Sequence, residues 1–428
     1  MHDPTREAAF DLLSAVLDRR RPLDEALYAL PAMEARVRAA AHRLAAAVLR
    51  RLGTLDAVVE PLLKKAPPQP VRHVLRLGAA ALLLLDTPPH AAVSTSVALA
   101  RAQGLAPFAP LVNAVLRRVA ALGPAALAEL DGPRLDTPAW LWSSWGADAR
   151  AIAEAHQEEA PLDLTLAPGA TPPAGGEMLP TGSQRFPPGT RVAELAGYDA
   201  GAPGSGSPVC TGAGRWAGFW VQDAAAALPA RLLASQPGER IADVCAAPGG
   251  KTAQLTATGA EVTAVERDPV RAALLGRNLE RLRLAARIVI ADATAWAPPA
   301  PFDAVLLDAP CSATGTIRRH PDVPRIKRAR DIAPLGAQQD RLLDAAASML
   351  RPGGRLIYAV CSLQPEEGAA RIAAALARLP LRHAPFAPGE MPELPEALTP
   401  AGHLRTHPAL WRERGGMDGF FAARLVRL

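Results

Sequence analysis

From about Gln222 onward the chain alternates short apolar runs with segments of helical period, and that alternation leaves few folds open. Strand-like runs fall at 241–244, 261–265, 287–290, 304–307 and 355–360. Between them lie a helix of small residues after the glycines at 249 and 250, an amphipathic helix at 269–282 and a long helix at 335–350. Strands and helices of these lengths in alternation predict a parallel, doubly wound sheet. Asp268-Pro269 supplies an N-cap and a first helical position for 269–282. The run 419–428 reads as one further strand, antiparallel to the rest. Sheets of this kind bind ligands outside the carboxyl ends of their strands. The residues that close each strand are therefore the ones to search for chemistry.

The first part of the chain has another texture. From Pro4 to about Ala160 apolar residues recur at spacings of three and four, as in Ala9, Leu12, Leu13, Val16 and Leu17. Arg19-Arg20-Arg21-Pro22 ends the first helix, and Pro67, Pro68 and Pro70 open another that runs to Leu85. Pro88-Pro89 separates it from a helix at 90–102, and Pro110 starts one that ends near Leu122. The expectation is an all-α bundle over 1–140. Linker helices and a small α/β insert follow over 141–221, then the doubly wound domain over 222–428. The Gly-, Ser- and Pro-rich stretch 199–214 receives no function.

Residues 1–140 carry 17 Lys+Arg against 13 Asp+Glu, while the remainder carries 30 against 29. That mild excess suits contact with phosphates, although a solvated arginine-rich surface accounts for it equally well. Cys210, Cys245, Cys311 and Cys361 show no C-x-x-C spacing and no histidine cluster, so neither a disulfide framework nor a metal site is expected. The most apolar run, 78–85, is far too short to span a bilayer, and the first residues are charged. A cytoplasmic monomer with no membrane partner is the expectation.

The first motif is Asp243-Val244-Cys245-Ala246-Ala247-Pro248-Gly249-Gly250-Lys251-Thr252. A strand ends in a glycine turn that enters a helix. Glycine admits a ligand close to the backbone, and a helix N-terminus favours negative charge. The spacing is neither that of a dinucleotide fingerprint nor that of a phosphate loop. It suits an adenosyl cofactor that carries an amino-acid carboxylate. Glu266 closes the next strand, where a carboxylate can accept from ribose hydroxyls, and Asp292 follows the third, where it can accept from an adenine amino group. Either acid alone is more often a cap or a solvated turn. Together, on successive strands after a glycine turn, they favour a nucleoside cofactor.

Two further strands end in Asp308-Ala309-Pro310-Cys311-Ser312 and Tyr358-Ala359-Val360-Cys361-Ser362. Lone cysteines are usually inert small hydrophobes. Three of four at the ends of strands make that account weak, although Cys245 can still be a packing residue. Cytosine C5 chemistry explains a pair of thiols. C5 is a poor nucleophile toward a methyl sulfonium until a thiolate adds at C6 and turns the ring into an enamine. One thiol attacks, and a second acts as base or assists release. Asp308 can hydrogen-bond the N3/N4 edge of the base. Position alone does not rank the two cysteines.

These motifs resemble the RNA 5-methylcytosine methyltransferases of the Nol1/Nop2/Sun family, and most closely its bacterial Sun/Fmu branch. Ile317-Arg318-Arg319-His320-Pro321-Asp322 and Asp418-Gly419-Phe420-Phe421 also match. His90-Ala91-Ala92-Val93 and Val112-Asn113-Ala114-Val115-Leu116-Arg117-Arg118 are similar to the NusB-like RNA-binding domain of that branch. The resemblance implies a Rossmann-like S-adenosylmethionine-dependent methyltransferase domain, preceded by an all-α NusB-like bundle and a small RRM-like α/β insert. It implies methylation of cytosine C5 in 16S ribosomal RNA, at the position the family numbers 967. It ranks Cys361 as the nucleophile and Cys311 as the residue that assists release. It places Cys245, Ala246, Ala247, Pro248, Gly249, Gly250, Lys251, Glu266, Asp292 and Asp308 around S-adenosyl-L-methionine, with no metal. Such a substrate is a cytosine in a single strand or loop, because a base must leave its stack to react. The chain departs from the family at Glu266, where aspartate is common, and at Val360, where threonine is common. A non-catalytic RNA-binding factor would need neither cysteine. A DNA methyltransferase would carry a sequence-reading domain and would use the Pro-Cys thiol, here Cys311, as nucleophile.

Overall fold

A computed structural model describes residues 3–198 and 218–428. The stretch 199–214, with Cys210, lies outside the described residues. The chain forms two compact units. One comprises residues 1–158 together with 317–329, the other residues 159–316 together with 330–428.

The first unit is helical. In order it holds α1 (Pro4–Leu17), α2 (Leu23–Tyr28), α3 (Ala35–Arg50), α4 (Leu52–Val59), α5 (Gln69–Leu83), α6 (Pro89–Ala102), α7 (Ala109–Leu122), α8 (Gly132–Asp136), α9 (Ala139–Trp145) and α10 (Ala149–Ala155). Prolines sit in the first turn of α1, α5, α6 and α7, where a missing N–H costs nothing. The three- and four-residue spacing of the sequence becomes one core. Leu12, Leu13, Val48, Leu49, Leu75, Leu77 and Leu116 are all fully buried in it.

The segment 317–329 is tied into this unit by polar contacts. Leu23 N–H donates to Asp322 Oδ2 at 3.0 Å, and Arg50 Nη1 donates to the Arg318 carbonyl at 2.7 Å. His320 Nδ1 lies 3.4 Å from Asp24 Oδ2, and the Arg318 side chain is 2% exposed. A division of the chain at 140 and 221 therefore differs from the observed units in three respects. α9 and α10 stay with the helices, the insert expected up to 221 shares a unit with the doubly wound domain, and 317–329 returns to the helices from the middle of that domain.

The second unit contains two sheets. The smaller is antiparallel, with β1 (Leu162–Leu166), β2 (Glu177–Met178), β3 (Gln184–Phe186) and β4 (Phe219–Val221) in the order β2-β3-β1-β4. Its buried Asp163 receives both Nε and Nη2 of Arg185 at 2.7 Å and the Ala224 N–H at 3.0 Å, which satisfies a charge that would otherwise be costly inside. The larger sheet is built from α11 (Ala224–Leu233), β5 (Arg240–Val244), α12 (Gly250–Ala257), β6 (Glu261–Glu266), α13 (Pro269–Arg281), β7 (Arg287–Ile290) and β8 (Phe302–Asp308). After α14 (Val323–Ile326), which lies in the helical unit, it continues with α15 (Ile332–Met349), β9 (Leu350–Val360), α16 (Ala369–Arg378), β10 (Leu381–His383), β11 (Leu404–Arg405) and β12 (Phe421–Arg427).

The strand order is β10-β12-β9-β8-β5-β6-β7, with β11 on β12. β9, β8, β5, β6 and β7 are parallel, while β12 and β10 are antiparallel additions. The chain runs from β5 outward through β6 to β7, then returns to β8 on the other side of β5. That reversal opens a crevice at the carboxyl ends of β5 and β8. The loops after these two strands carry the first motif and Cys311.

Candidate active site

The turn after β5 is held from several sides. Cys245 sits at φ 63°, and its N–H and that of Ala246 donate to the Val265 carbonyl at 2.9 and 3.2 Å. Gly249 sits at φ 106° against Leu275, where a Cβ would lie 3.2 Å from Leu275 Cγ, so both conformation and space require glycine. From α13, Arg271 Nη2 donates to the Ala247 carbonyl at 2.6 Å and Asn278 Nδ2 to the Pro248 carbonyl at 2.9 Å. The result is a rigid glycine cradle leading into the N-terminus of α12.

Acids close the strands around it. Glu266, at the end of β6, is buried, and its two oxygens face the N–H groups of Ala247 (3.4 Å) and Asp268 (3.1 Å). Asp243, within β5, is wholly buried. Thr252 donates to its Oδ2 at 2.6 Å, while Oδ1 has no partner. Burial pushes this carboxyl up to about 7. Asp292 follows β7, just after Ala291, whose N–H donates to the Glu266 carbonyl at 3.1 Å. It is exposed, and its Oδ1 accepts from the N–H and hydroxyl of Thr294 at 2.9 and 2.7 Å, which holds its pKa below the usual carboxylate range.

Cys311 and Cys361 meet. Their sulfurs are 3.5 Å apart, at the exits of the adjacent parallel strands β8 and β9, and both are free thiols. The hydrogen bond to Cys361 and burial together push the Cys311 thiol well above its ordinary value. Cys311 is thus held as a thiol, and either sulfur can be the donor in the contact. Beside the pair, Lys251 Nζ donates to Asp308 Oδ2 at 2.7 Å and stands 5.2 Å from the centre of the Phe420 ring. Burial pulls the Lys251 pKa down, but Asp308 outweighs it and the net shift is upward, so the ammonium is retained. Cys245 is different. Burial pushes its thiol up to about 12, which makes it a packing residue of the turn rather than a nucleophile.

Gly315, which no sequence motif singled out, and the terminal motif at 418–421 shape the pair. Gly315 N–H donates to the Cys361 carbonyl at 3.0 Å, and Gly419 N–H donates to the Gly315 carbonyl at 2.8 Å. A Cβ on Gly315 would lie 1.9 Å from the Gly419 carbonyl oxygen, so this crossing requires glycine. Asp418-Gly419-Phe420-Phe421 therefore braces the loop that carries Cys361 and supplies the ring beside Lys251. Among the described residues no cluster of His, Cys, Asp and Glu could hold a metal ion, and no helix is long and apolar enough to cross a membrane.

A glycine cradle at a helix N-terminus, acids on successive strands and a reversal of strand order define a Rossmann-like S-adenosylmethionine-dependent methyltransferase. Residues 230–426 match the 16S rRNA methyltransferase RsmB/F family, and residues 3–121 match the NusB family. The chain is 37% identical to Ribosomal RNA small subunit methyltransferase B of Xylella fastidiosa, over 99% of this chain and 97% of the relative. It is 34% identical to the protein of the same name from Pseudomonas putida and 33% to that from Cronobacter sakazakii, each over 99% of this chain and 98% of the relative. The chain belongs to this RsmB/F family, with the family's NusB-type helical domain in front of its catalytic fold. The crystal structure of PH0851 has the same fold over 99% of both chains, at a TM-score of 0.73 and 21% identity. A methyltransferase homologue from Pyrococcus horikoshii covers 70% of this chain and 96% of its own at a TM-score of 0.52 and 23% identity.

Proposed function

We propose that the chain methylates C5 of a cytosine in 16S ribosomal RNA, the family's position 967, through a covalent bond between Cys361 and C6. The observation that carries this reading is the pair of free thiols 3.5 Å apart at the exits of β8 and β9. The glycine cradle at 245–251, with Glu266 and Asp292, is assigned to S-adenosyl-L-methionine. The residues present suit it: a cradle that only glycine fits, a helix N-terminus for its carboxylate, and acids at strand ends for its hydroxyl and amino groups. When bound it supplies a methyl group activated on sulfonium.

The protein's part is nucleophilic and electrostatic. The Cys361 thiolate attacks C6 and moves electron density onto C5. The Lys251 ammonium is fixed by Asp308 beside the two thiols. Asp308 is the carboxylate available to the N3/N4 edge of the base. Once C5 carries the methyl group, its proton passes to water, the C5–C6 double bond re-forms and the C6–S bond breaks, releasing Cys361 as thiolate. The Cys311 thiol, whose sulfur lies 3.5 Å from that of Cys361, stabilises the leaving thiolate and so assists release. The helical unit presents exposed Arg19, Arg21, Lys64, Lys65, Arg117 and Arg118, which suit phosphate contact with the RNA. A single-stranded or looped cytosine suits a site that must close on both faces of one base.

The thiol roles are tested on denaturing gels with RNA and cofactor. Cys361→Ala is expected to abolish both methylation and any protein–RNA adduct. Cys311→Ala is expected to attack and methylate but release slowly, so the adduct accumulates. An adduct trapped by Cys361→Ala and absent from Cys311→Ala would reverse the roles. Activity retained in Cys361→Ala would end the covalent reading.

A further inference from the structure

We propose that Glu367 is the positioning residue of the two thiols: its buried carboxylate ties the loop after Cys311 to the loop after Cys361. This rests on the two-thiol reading above. Glu367 follows β9 in a single turn, Pro365–Glu367, and is 0% exposed. Among the described residues no lysine or arginine pairs with it. A carboxylate taken out of water without a cation is tolerated only when hydrogen bonds fill it. Four donors do so. Ser312 N–H (2.9 Å) and Gln339 Nε2 (3.1 Å) reach Oε1, and the hydroxyls of Ser312 and Ser362 reach Oε2, each at 2.5 Å.

Those donors are not a random set. Ser312 immediately follows Cys311, and Ser362 immediately follows Cys361. Gln339 donates also to the carbonyl of Pro310, the residue before Cys311, at 2.9 Å. The Tyr358 hydroxyl, on β9, donates to the Glu367 carbonyl at 2.6 Å. One carboxylate thus gathers the residues that flank both sulfurs. Charged acceptors make the shorter, stronger hydrogen bonds, so the sulfur–sulfur separation of 3.5 Å is set by a stiff bridge rather than by loop packing.

The bridge is asymmetric. Ser312 reaches Glu367 twice, through its N–H and its hydroxyl, whereas Ser362 reaches it through the hydroxyl alone. Removing the Ser312 hydroxyl leaves the Cys311 loop anchored. Removing the Ser362 hydroxyl removes the one direct hydrogen bond from the residue after Cys361 to the Glu367 carboxylate.

Glu367→Gln, Ser312→Ala and Ser362→Ala in the full chain test this. Two readouts are taken beside thermal melting. The first is kcat and KM on a 16S ribosomal RNA transcript. The second is the rate of Cys311–Cys361 disulfide formation with diamide, in which two thiols lose two protons and two electrons and the azo group becomes a hydrazine. A displaced reacting group costs up to ~100-fold in rate. Ser362→Ala and Glu367→Gln are expected to lower kcat by ~10-fold or more with KM for cofactor little changed, and to slow disulfide formation severalfold. Ser312→Ala is expected to fall between them and the unsubstituted chain. Unchanged kcat and disulfide rate in Ser362→Ala and Glu367→Gln, or a Ser312→Ala more severe than Ser362→Ala, would overturn the proposal. A loss of melting temperature with an unchanged disulfide rate would make Glu367 a fold clamp only, which also overturns it. Failure of the covalent reading shows separately, as no RNA adduct in Cys311→Ala, and leaves the disulfide rates to judge Glu367.

Discussion

Single residues carry most of the chemistry here, and the ones that sequence reveals are those whose type is rare at a strand end. Cys311 and Cys361 stand out because a thiol has little reason to close a strand, and the structure brings them to each other and Lys251 to Asp308. Glu367 does not stand out, because it sits beside Glu366. One of the two glutamates is exposed and the other wholly buried, and nothing in Pro365-Glu366-Glu367 says which. Asp243 is a related case: its place in the first motif was legible, its burial was not. Its folded pKa of about 7 lies above the ordinary carboxylate value of 3.8. The fold therefore prefers the protonated form. Asp243 adds stability below about pH 4 that is lost progressively as pH rises toward 7. Asp243→Asn removes that loss, so it should stabilise the chain at pH 8 by on the order of 4 kcal/mol and leave it nearly unchanged at pH 4. Urea midpoints of both proteins across that range provide the measurement. An equal offset at both ends would mean that Asp243 does not titrate in the fold.

At the scale of elements, period and punctuation were enough where segments are long. α13 begins at Pro269 behind Asp268, whose Oδ1 accepts from Val270 and Arg271 N–H at 2.8 and 3.1 Å, as the Asp-Pro pair implied. β2, β10 and β11 span two or three residues each and exist because a neighbouring strand pairs with them, so no local pattern announces them. β9 starts earlier than expected, at Leu350, because pairing with β8 carries the chain through Arg351-Pro352-Gly353-Gly354 with a shift of register. α13 also separates two kinds of effect. Asp268→Ala removes an exposed cap and should cost ~1 kcal/mol of stability. Asn278→Ala removes the hydrogen bond to the Pro248 carbonyl and loosens the cradle. Calorimetry should then show weaker binding of S-adenosylmethionine to Asn278→Ala, while Asp268→Ala binds nearly as the unsubstituted chain does. Equal cofactor affinity in all three would remove α13 from any role in shaping the turn.

The whole molecule is organised by chain crossings that no linear division anticipates. The alternation of strands and helices on either side of 317–329 assigned it to the doubly wound domain. The structure returns it to the helices, where Asp322, Arg318 and the Ile326 carbonyl satisfy Leu23 N–H, Arg50 and Arg20. Val323 and Ile317 are buried as well. The helical unit is consequently incomplete as residues 1–158. In that fragment the Leu23 N–H loses the Asp322 carboxylate, Arg50 loses the Arg318 carbonyl, and apolar surface once covered by Ile317 and Val323 meets water. Each lost buried partner costs ~1–3 kcal/mol unless water replaces it. The fragment should melt below the helical transition of the full chain. A synthetic peptide of residues 317–329 should bind it and raise its melting temperature with concentration, as any ligand specific for the folded state does. The same peptide with Asp322→Ala should bind more weakly, since it cannot accept from Leu23 N–H. A fragment that melts with the full chain's helical transition and ignores the peptide would show that 317–329 is a passenger on the helices rather than a part of their fold.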